Sequence, residues 1–246
     1  MAGHSKWSNI KHRKAGQDAK RSKIFTKIIR ELTISARDSG SNIDDNPGLR
    51  AVVEKAKTAQ MPKDTIERAI ARGAGGKDGN ELVALTYEGY GPGGVAIFVE
   101  TMTDNRNRTV SEIRHAFTKS EGNLGTDGSV AFLFDKRGLV VFDLVMEVDD
   151  LIEVAIEAGA EDVTLDEDGS LEVIALPESF LRIKNLLEES GFEPSSAGLS
   201  MIPQTLIDLD IQTGGKVINL LEMLEDLDDV TGVYTNANFP RELTNT

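Results

Sequence analysis

The chain contains no cysteine among its 246 residues. This absence excludes disulfide bonds, thiolate-bound metals and cysteine nucleophiles, and it is typical of proteins in a reducing compartment. Histidine is scarce as well, because His4, His12 and His115 are the three that occur, and their spacing matches no zinc motif. A G-x-S-x-G nucleophile elbow and a phosphate-binding P-loop are also missing. We therefore expect a protein that is not an enzyme and that holds no metal ion or cofactor.

Long hydrophobic runs are missing too, since no apolar stretch approaches the ~18 residues of a membrane-spanning helix. The first residues, MAGHSKW, lack the apolar core of a secretory signal. At 39% hydrophobic and 28% charged residues, the composition is that of an ordinary globular chain. The sequence thus predicts a cytoplasmic protein without membrane contact.

Positive charge is in deficit overall, with a formal net charge of −14, but it is concentrated at one end. Residues 1–37 hold ten Lys and Arg against two acidic residues, a net charge of +8. Residues 38–72 carry six charges of each sign, and the remaining 174 residues therefore carry −22. Such a division indicates a basic contact element joined to an acidic body.

Hydrophobic periodicity predicts three short helices in the first third of the chain. Apolar residues recur at three- and four-residue steps over residues 15–38, and Asn46-Pro47 provides the N-cap and first position of a second helix. A third helix is predicted from near Pro62 to Gly73. We expect a helical domain with a weakly ordered basic arm before it, over residues 1–14, and a flexible linker after it, over residues 73–80.

Beyond the linker, apolar residues alternate with polar ones, which predicts strands. Residues 138–202 follow the order strand, helix, strand, strand, helix, strand of a ferredoxin-like unit. Its predicted strands are 139–142, 162–165, 171–175 and 197–202, and its helices are 149–158 and 177–190. The flanking segments supply strands at 82–88, 95–102, 130–134 and 230–235, and helices at 109–120 and 217–227. Thr109-x-x-Glu112 fits a capping box at the start of the helix over 109–120.

These elements predict an α+β protein with an N-terminal three-helix domain followed by two ferredoxin-like α/β domains, the last inserted into the second. The basic arm and helical domain take residues 1–76. The discontinuous α/β domain takes residues 77–136 plus 203–246. The inserted βαββαβ domain takes residues 137–202.

The basic segment gives the strongest functional signal. Ten cations in 37 residues are dense enough to displace the counterions condensed on a nucleic acid. Trp7 and His12 lie among them, where an aromatic ring can stack on a base. The alternative is a solvated helix face with a disordered tail, and for Trp7 ordinary packing is nearly as well supported as stacking. The candidate nucleic-acid-binding residues are Lys6, Trp7, Lys11, His12, Arg13, Lys14, Lys20, Arg21, Lys23, Lys27 and Arg30.

A second candidate phosphate site consists of Arg106 and Arg108, which lead into a predicted helix whose free N–H groups favour anions. Local pairing of these arginines with Asp104, Asp127 or the acidic body is the alternative.

Two further motifs carry ordinary structural interpretations. Gly89 to Gly94 matches the dinucleotide-binding pattern G-x-G-x-x-G, but a strand follows it instead of a helix, which predicts a tight turn between strands. An acidic cluster is expected to be a solvated helix end, with a basic partner as the alternative. It comprises Glu222, Glu225, Asp226, Asp228 and Asp229.

Several segments resemble the YebC/PmpR family and the related mitochondrial translational activator of cytochrome c oxidase. They are Ala2–Lys14 (AGHSKWSNIKHRK), Gln17–Arg21 (QDAKR), Lys23–Lys27 (KIFTK), Tyr87–Gly94 (YEGYGPGG), Asp104–Val110 (DNRNRTV), Arg114–Phe117 (RHAF) and Gly122–Val130 (GNLGTDGSV). The resemblance covers essentially the whole chain. It implies three domains, the last inserted into the second, and a role in gene expression. Members are described as DNA-binding transcriptional regulators, or as translation factors that bind ribosomal RNA and relieve ribosomes stalled on proline-rich stretches.

The residues themselves favour backbone contact over base reading, since no clear helix-turn-helix is present and the exposed face of the first helix is mostly Lys. We expect a cytoplasmic nucleic-acid-binding regulator, by resemblance a DNA-binding transcriptional regulator. A ribosome-associated translation factor and a protein-binding adaptor are the alternatives. The expected partner is DNA or ribosomal RNA, with the ribosome as a further candidate, and the expected state is a monomer.

Overall fold

The structure, a computed structural model, describes residues 17–75, 82–143, 147–165 and 169–244, without the side chains of residues 17–23 and Thr244. The predicted α+β class is confirmed, because the described residues form eight α-helices and two four-stranded sheets. They fall into two compact units, one joining the residues up to 131 with 212–233, and the other joining 132–211 with those from 234 onward.

Three α-helices come first along the chain, and strands and helices follow in mixed order. The helices are α1 (Gln17–Ser39), α2 (Pro47–Thr58), α3 (Lys63–Gly75), α4 (Arg106–Lys119), α5 (Val148–Glu157), α6 (Phe180–Glu189), α7 (Ile211–Glu225) and α8 (Arg241–Thr244). The strands are β1 (Val83–Tyr90), β2 (Ala96–Thr103), β3 (Asn123–Leu124), β4 (Phe134–Phe142), β5 (Asp162–Leu165), β6 (Leu171–Ala175), β7 (Ser196–Pro203), β8 (Ile207–Asp208), β9 (Val230–Thr235) and β10 (Ala237–Asn238).

Helices α1, α2 and α3 pack as a small bundle around one apolar cluster. The cluster consists of Ile28, Leu32, Ala36, Leu49, Val53, Ala56, Met61, Ile66 and Ala69. The predicted N-cap of α2 is confirmed, because the Asn46 side chain accepts a hydrogen bond from the Leu49 N–H at 2.9 Å. The predicted arm lies outside the described residues, as does most of the predicted linker.

The third helix continues to Gly75 and does not stop at Gly73 as the sequence predicted. Gly73 is buried where α3 crosses α1, and a Cβ at this position would overlap the carbonyl oxygen of Thr33. The glycine therefore permits close packing of the two helices and does not end the helix.

A four-stranded sheet follows in the same unit, in the order β3-β1-β2-β9. The hairpin at its centre pairs Val83 with Thr103 at one end and Tyr90 with Ala96 at the other. A 3₁₀ turn over Pro92–Gly94 joins the two strands, which confirms the tight turn predicted in place of a dinucleotide-binding loop. Helix α4 follows β2 directly and buries Thr109, Ile113, Ala116 and Phe117.

The other unit contains a sheet in the order β5-β6-β4-β7, in which every neighbouring pair is antiparallel. Helices α5 and α6 are built into its core, which gives the predicted βαββαβ unit. The core consists of Val140, Phe142, Leu151, Ala155, Ala158, Leu171, Val173, Ala175, Phe180, Ile183 and Leu187.

One strand assignment from the sequence is wrong. The predicted strands over 130–134 and 139–142 are a 3₁₀ turn at Ala131–Leu133 followed by the single strand β4. The polar residues 135–137 before Gly138 resemble a turn, but all three pair with β7. Gly138 lies under α6, where a Cβ would come within 2.5 Å of the Phe180 Cβ, and it serves this close approach and not a chain reversal.

Candidate nucleic-acid interface

The predicted contact residues fall into three groups in the structure. Six of them, Lys6, Trp7, Lys11, His12, Arg13 and Lys14, lie outside the described residues. Three more, Lys20, Arg21 and Lys23, lie on the first turns of α1, and their side chains are not described. The remaining two, Lys27 and Arg30, have described side chains.

Lys27 and Arg30 both hold α1 against the segment that leads from α7 into β9. The Lys27 Nζ donates to the Glu225 carbonyl oxygen at 2.6 Å. The Arg30 guanidinium donates to the Asp228 carbonyl oxygen and, at 2.8 Å, to Oδ1 of Asp229. These two predicted phosphate ligands therefore have intramolecular partners, and their contact with nucleic acid stays a prediction.

Asp229 is the centre of this arrangement, with 1% of its surface exposed. Its carboxylate accepts hydrogen bonds from Nη2 of Arg108 at 2.7 Å and from Oγ1 of Thr109 at 2.8 Å. Oγ1 of Thr103 donates to the same oxygen at 3.1 Å. With Arg30, four side chains from α1, β2 and α4 converge on one carboxylate, which we call the Asp229 junction.

The Asp229 carboxylate is kept ionised by these neighbours. Burial works to raise the pKa of Asp229, but the hydrogen bonds from Arg108, Thr109 and Thr103 and the charge of Arg30 outweigh it and hold the pKa below its usual value. The expectation that Asp229 belongs to a solvated acidic helix end is therefore wrong. Asp228 and Asp226, its neighbours in that acidic run, are exposed as expected.

The two arginines of the second candidate phosphate site, Arg106 and Arg108, lie in different environments. Arg108 binds Asp229 and also Asp104, at 3.0 Å, so the alternative of local pairing describes this residue. Arg106 is exposed and makes no ion pair with any residue that the structure describes. Phosphate binding by either arginine stays a prediction.

The start of α4 differs from the predicted capping box. The N-cap is Asn105, whose side chain accepts a hydrogen bond from the Arg108 N–H at 3.1 Å. Thr109 lies one turn inside the helix and uses its hydroxyl for Asp229. The Thr109-x-x-Glu112 pattern was misleading because its threonine has a partner 120 positions away.

A second buried carboxylate, which the sequence did not single out, joins two of the family-like segments. Glu88 is 5% exposed, and its oxygens accept hydrogen bonds from the backbone N–H groups of Gly128, Val130 and Ala131, each at 2.7 Å. Burial works to raise the pKa of Glu88, but the three N–H donors outweigh it and the pKa is lowered. Tyr90 adds a hydrogen bond from its hydroxyl to the Ser129 carbonyl oxygen at 2.8 Å. Strand β1 thereby fixes the loop over residues 125–131.

Metal and membrane sites receive no support from the part of the chain that the structure describes. Within that part, no group of three or more His, Cys, Asp or Glu is placed to hold a metal ion. No described helix is long and apolar enough to cross a membrane.

Comparisons with known proteins match the chain along nearly its full length. A family model described as the TACO1/YebC protein N-terminal domain matches residues 5–76. A second model, the TACO1/YebC second and third domain, matches residues 82–237.

Curated relatives and a solved structure agree with these models. A probable transcriptional regulatory protein of Hahella chejuensis is 60% identical over 99% of this chain and 98% of its own length. Proteins with the same description from Coxiella burnetii and Pseudomonas syringae are 56% and 57% identical, each over 99% of this chain and over 100% and 98% of their own lengths. The crystal structure of a conserved hypothetical protein from Aquifex aeolicus superimposes with a TM-score of 0.82 at 45% identity, covering 91% of this chain and 92% of that one.

Proposed function

Because the chain belongs to the TACO1/YebC family, we propose that it is a cytoplasmic nucleic-acid-binding regulator of gene expression. The observation that carries the proposal is the division of charge, with +8 on residues 1–37 and −22 on residues 73–246. Phosphate attracts the first segment and repels the second, which directs contact to one end of the chain. The names of the relatives, probable transcriptional regulatory proteins, support a regulatory role. The proposed role involves no catalysis and no cofactor.

Within the basic segment, we distinguish cations that position α1 from cations that are available to bind phosphate. Lys27 and Arg30 position α1 through Glu225 and Asp229. The phosphate contacts therefore fall mainly to the cations between Lys6 and Lys23. Most of these are Lys, which binds phosphate as a point charge and reads few base edges. We accordingly propose binding with low sequence selectivity.

A binding assay tests this proposal. Replacing Lys11, Arg13 and Lys14 with Glu should weaken binding to a 30-base-pair duplex about tenfold or more, because three phosphate contacts are lost. The matched control replaces Lys136, Arg182 and Lys184 with Glu, which gives the same total charge change outside the basic segment. An electrophoretic shift assay in which both variants bind like the unmodified chain would refute contact through the arm.

The family resemblance also supports a second function, a translation factor that contacts ribosomal RNA and relieves stalling on proline-rich stretches. Backbone contact without base reading suits ribosomal RNA as well as DNA. Crosslinking in cells followed by sequencing of the bound nucleic acid separates the two. Promoter fragments would favour transcription, and ribosomal RNA would favour translation. Recovery of neither would favour a third candidate, a protein-binding adaptor.

A further inference from the structure

Helix α4 is a basic element within the acidic part of the chain. Four of the eleven Lys and Arg in residues 73–246 lie in its 14 residues, beside the single acidic residue Glu112. The helix therefore carries a net charge of +3 within a segment that carries −22. Each of the other described helices of this segment, α5 to α8, is neutral or acidic. A concentration of one sign against the background of the other is typical of a contact surface.

The basic residues of α4 differ in whether they have a carboxylate partner. Arg108 is engaged by Asp104 and Asp229. Arg106, Arg114, His115 and Lys119 are exposed, and among the described residues none of them forms an ion pair or a side-chain hydrogen bond. A cation without a carboxylate partner in an acidic protein is free to bind an external anion.

Arg114, His115 and Lys119 border a polar stripe on the outer face of the helix. At 100° per residue, Asn107, Ser111 and Thr118 lie on the side opposite the buried residues Ile113 and Phe117. Arg114 projects on one side of this stripe, and His115 and Lys119 project on the other. At a rise of ~1.5 Å per residue the helix is ~21 Å long, which is enough to face several consecutive phosphates of one strand.

The position of α4 relative to α1 connects this face to the proposed interface. Arg30 of α1 and Arg108 of α4 bind the same carboxylate, that of Asp229. The first turn of α4 therefore begins where α1 is anchored. The negative charge of Asp229 lies between the two arginines and offsets their mutual repulsion.

We propose that the outer face of α4, through Arg114, His115 and Lys119, is a second contact surface for the nucleic-acid backbone. The Arg114 guanidinium and the Lys119 ammonium group bind phosphate oxygens, and Asn107 and Thr118 supply uncharged hydrogen-bond donors between them. The surface extends the contact made by the arm and α1 onto the α/β part of the chain. The identity of the ligand as nucleic acid rests on the proposed function.

The test replaces Arg114 and Lys119 with Glu in the full chain and measures binding to dye-labelled 30-base-pair DNA and 30-nucleotide RNA by fluorescence anisotropy. At ~0.1 M salt the affinity should fall about tenfold or more. The slope of log K against log salt should become shallower by about 2, because two phosphate contacts are lost. The double variant Lys136→Glu, Arg182→Glu is the charge-matched control, and its slope should stay within about 0.5 of that of the unmodified chain, because it changes only the long-range repulsion. Arg114→Gln, Lys119→Gln gives a second measurement if the Glu variant does not fold.

The outcomes distinguish this proposal from the one on which it rests. If the arm variant loses affinity and both α4 variants bind with unchanged affinity and slope, the α4 surface is refuted and the proposed function stands. A loss of affinity without a change in slope also refutes phosphate contact by α4. If the unmodified chain binds neither DNA nor RNA, the proposed function fails together with this inference, and an acidic protein partner becomes the occupant to test.

Discussion

Two buried carboxylates, Asp229 and Glu88, connect segments that are far apart in the sequence. Asp229 is balanced by Arg30 and Arg108, which are 199 and 121 positions away. Glu88 is balanced by backbone N–H groups 40 to 43 positions away. A buried charge without its partners is costly, so each carboxylate and its donors must stay together in the folded chain.

Replacing Asp229 with Asn should leave Arg30 and Arg108 without an anionic partner. The expected decrease in the free energy of unfolding is about 2 to 3 kcal/mol, below the ~3–5 kcal/mol of a fully buried pair because both arginines can reach water. Urea denaturation measures the change. Asp228→Asn removes the same charge from an exposed neighbour and should cost no more than about 0.5 kcal/mol. Equal losses in the two variants would contradict a structural role for the Asp229 junction.

Glu88 should make stability depend on pH. Because the folded-state pKa of Glu88 is lowered from its ordinary value near 4.5, its contribution is present above that value and is lost as the pH falls through the folded pKa. Glu88→Gln should therefore reduce stability at pH 7 and flatten the decrease of stability below about pH 4.5. Urea midpoints between pH 3 and pH 7 measure this, with exposed Glu153→Gln as the control. A profile of Glu88→Gln parallel to that of the unmodified chain would exclude the contribution.

These residues also mark the limit of prediction from sequence. The acidic run that contains Asp229 has the composition of a solvated helix end, and its exposed members behave so. Nothing local distinguishes Asp229, because its partners come from α1, β2 and α4. The GNLGTDGSV segment carries part of the family resemblance, but its connection to Glu88 depends on how β1 and the loop pack.

At the scale of secondary-structure elements, the sequence was reliable where the signal was local. Asn46-Pro47 fixed the start of α2 because the cap and the first-turn proline act within four residues. The start of α4 was misplaced because a distant carboxylate uses the Thr109 hydroxyl. The sequence predicts two strands where the structure has the single strand β4, because Gly138 resembles a turn residue. The glycine instead makes room for Phe180, and hydrophobic periodicity carries no information on such a contact between elements.

The packing of α3 on α1 gives a prediction with a control in the same helical turn. Gly73→Ala places a Cβ against the carbonyl oxygen of Thr33, and since backbone cannot turn away, α3 must shift. We expect a loss of about 2 to 3 kcal/mol in the free energy of unfolding. A Cβ at Gly75 meets nothing within 4 Å, so Gly75→Ala should be neutral or stabilising by up to about 1 kcal/mol. Thermal and urea denaturation of both variants test this, and equal effects would contradict the close approach.

At the scale of the whole molecule, composition and periodicity predicted the α+β class and the βαββαβ order, both of which the structure confirms. Composition and periodicity succeeded because fold class and element order depend on many residues together. A single error, such as predicting two strands in place of β4, does not change either property. The domain boundaries at residues 76, 136 and 202 stay a prediction. The two-residue strands β3, β8 and β10 were not predicted, since they are too short to show a period.

The uneven charge of the chain should act on binding over distances longer than a contact. The acidic body repels phosphate, and this repulsion is screened beyond ~10 Å at 0.1 M salt. Helix α5 presents four exposed carboxylates at Asp149, Asp150, Glu153 and Glu157. Replacing them with the corresponding amides removes four negative charges outside the proposed interface.

This α5 variant should associate with a 30-base-pair duplex a few-fold faster than the unmodified chain at 50 mM salt, because the long-range repulsion is weaker. At 0.5 M salt the two association rates should converge, since the Debye length is then only a few ångströms. The dissociation rate should not change, as no contact is altered. Stopped-flow fluorescence at both salt concentrations measures these rates. An advantage that persists at 0.5 M salt would place α5 in direct contact with the nucleic acid and would contradict confinement of binding to the basic surfaces of the arm, α1 and α4.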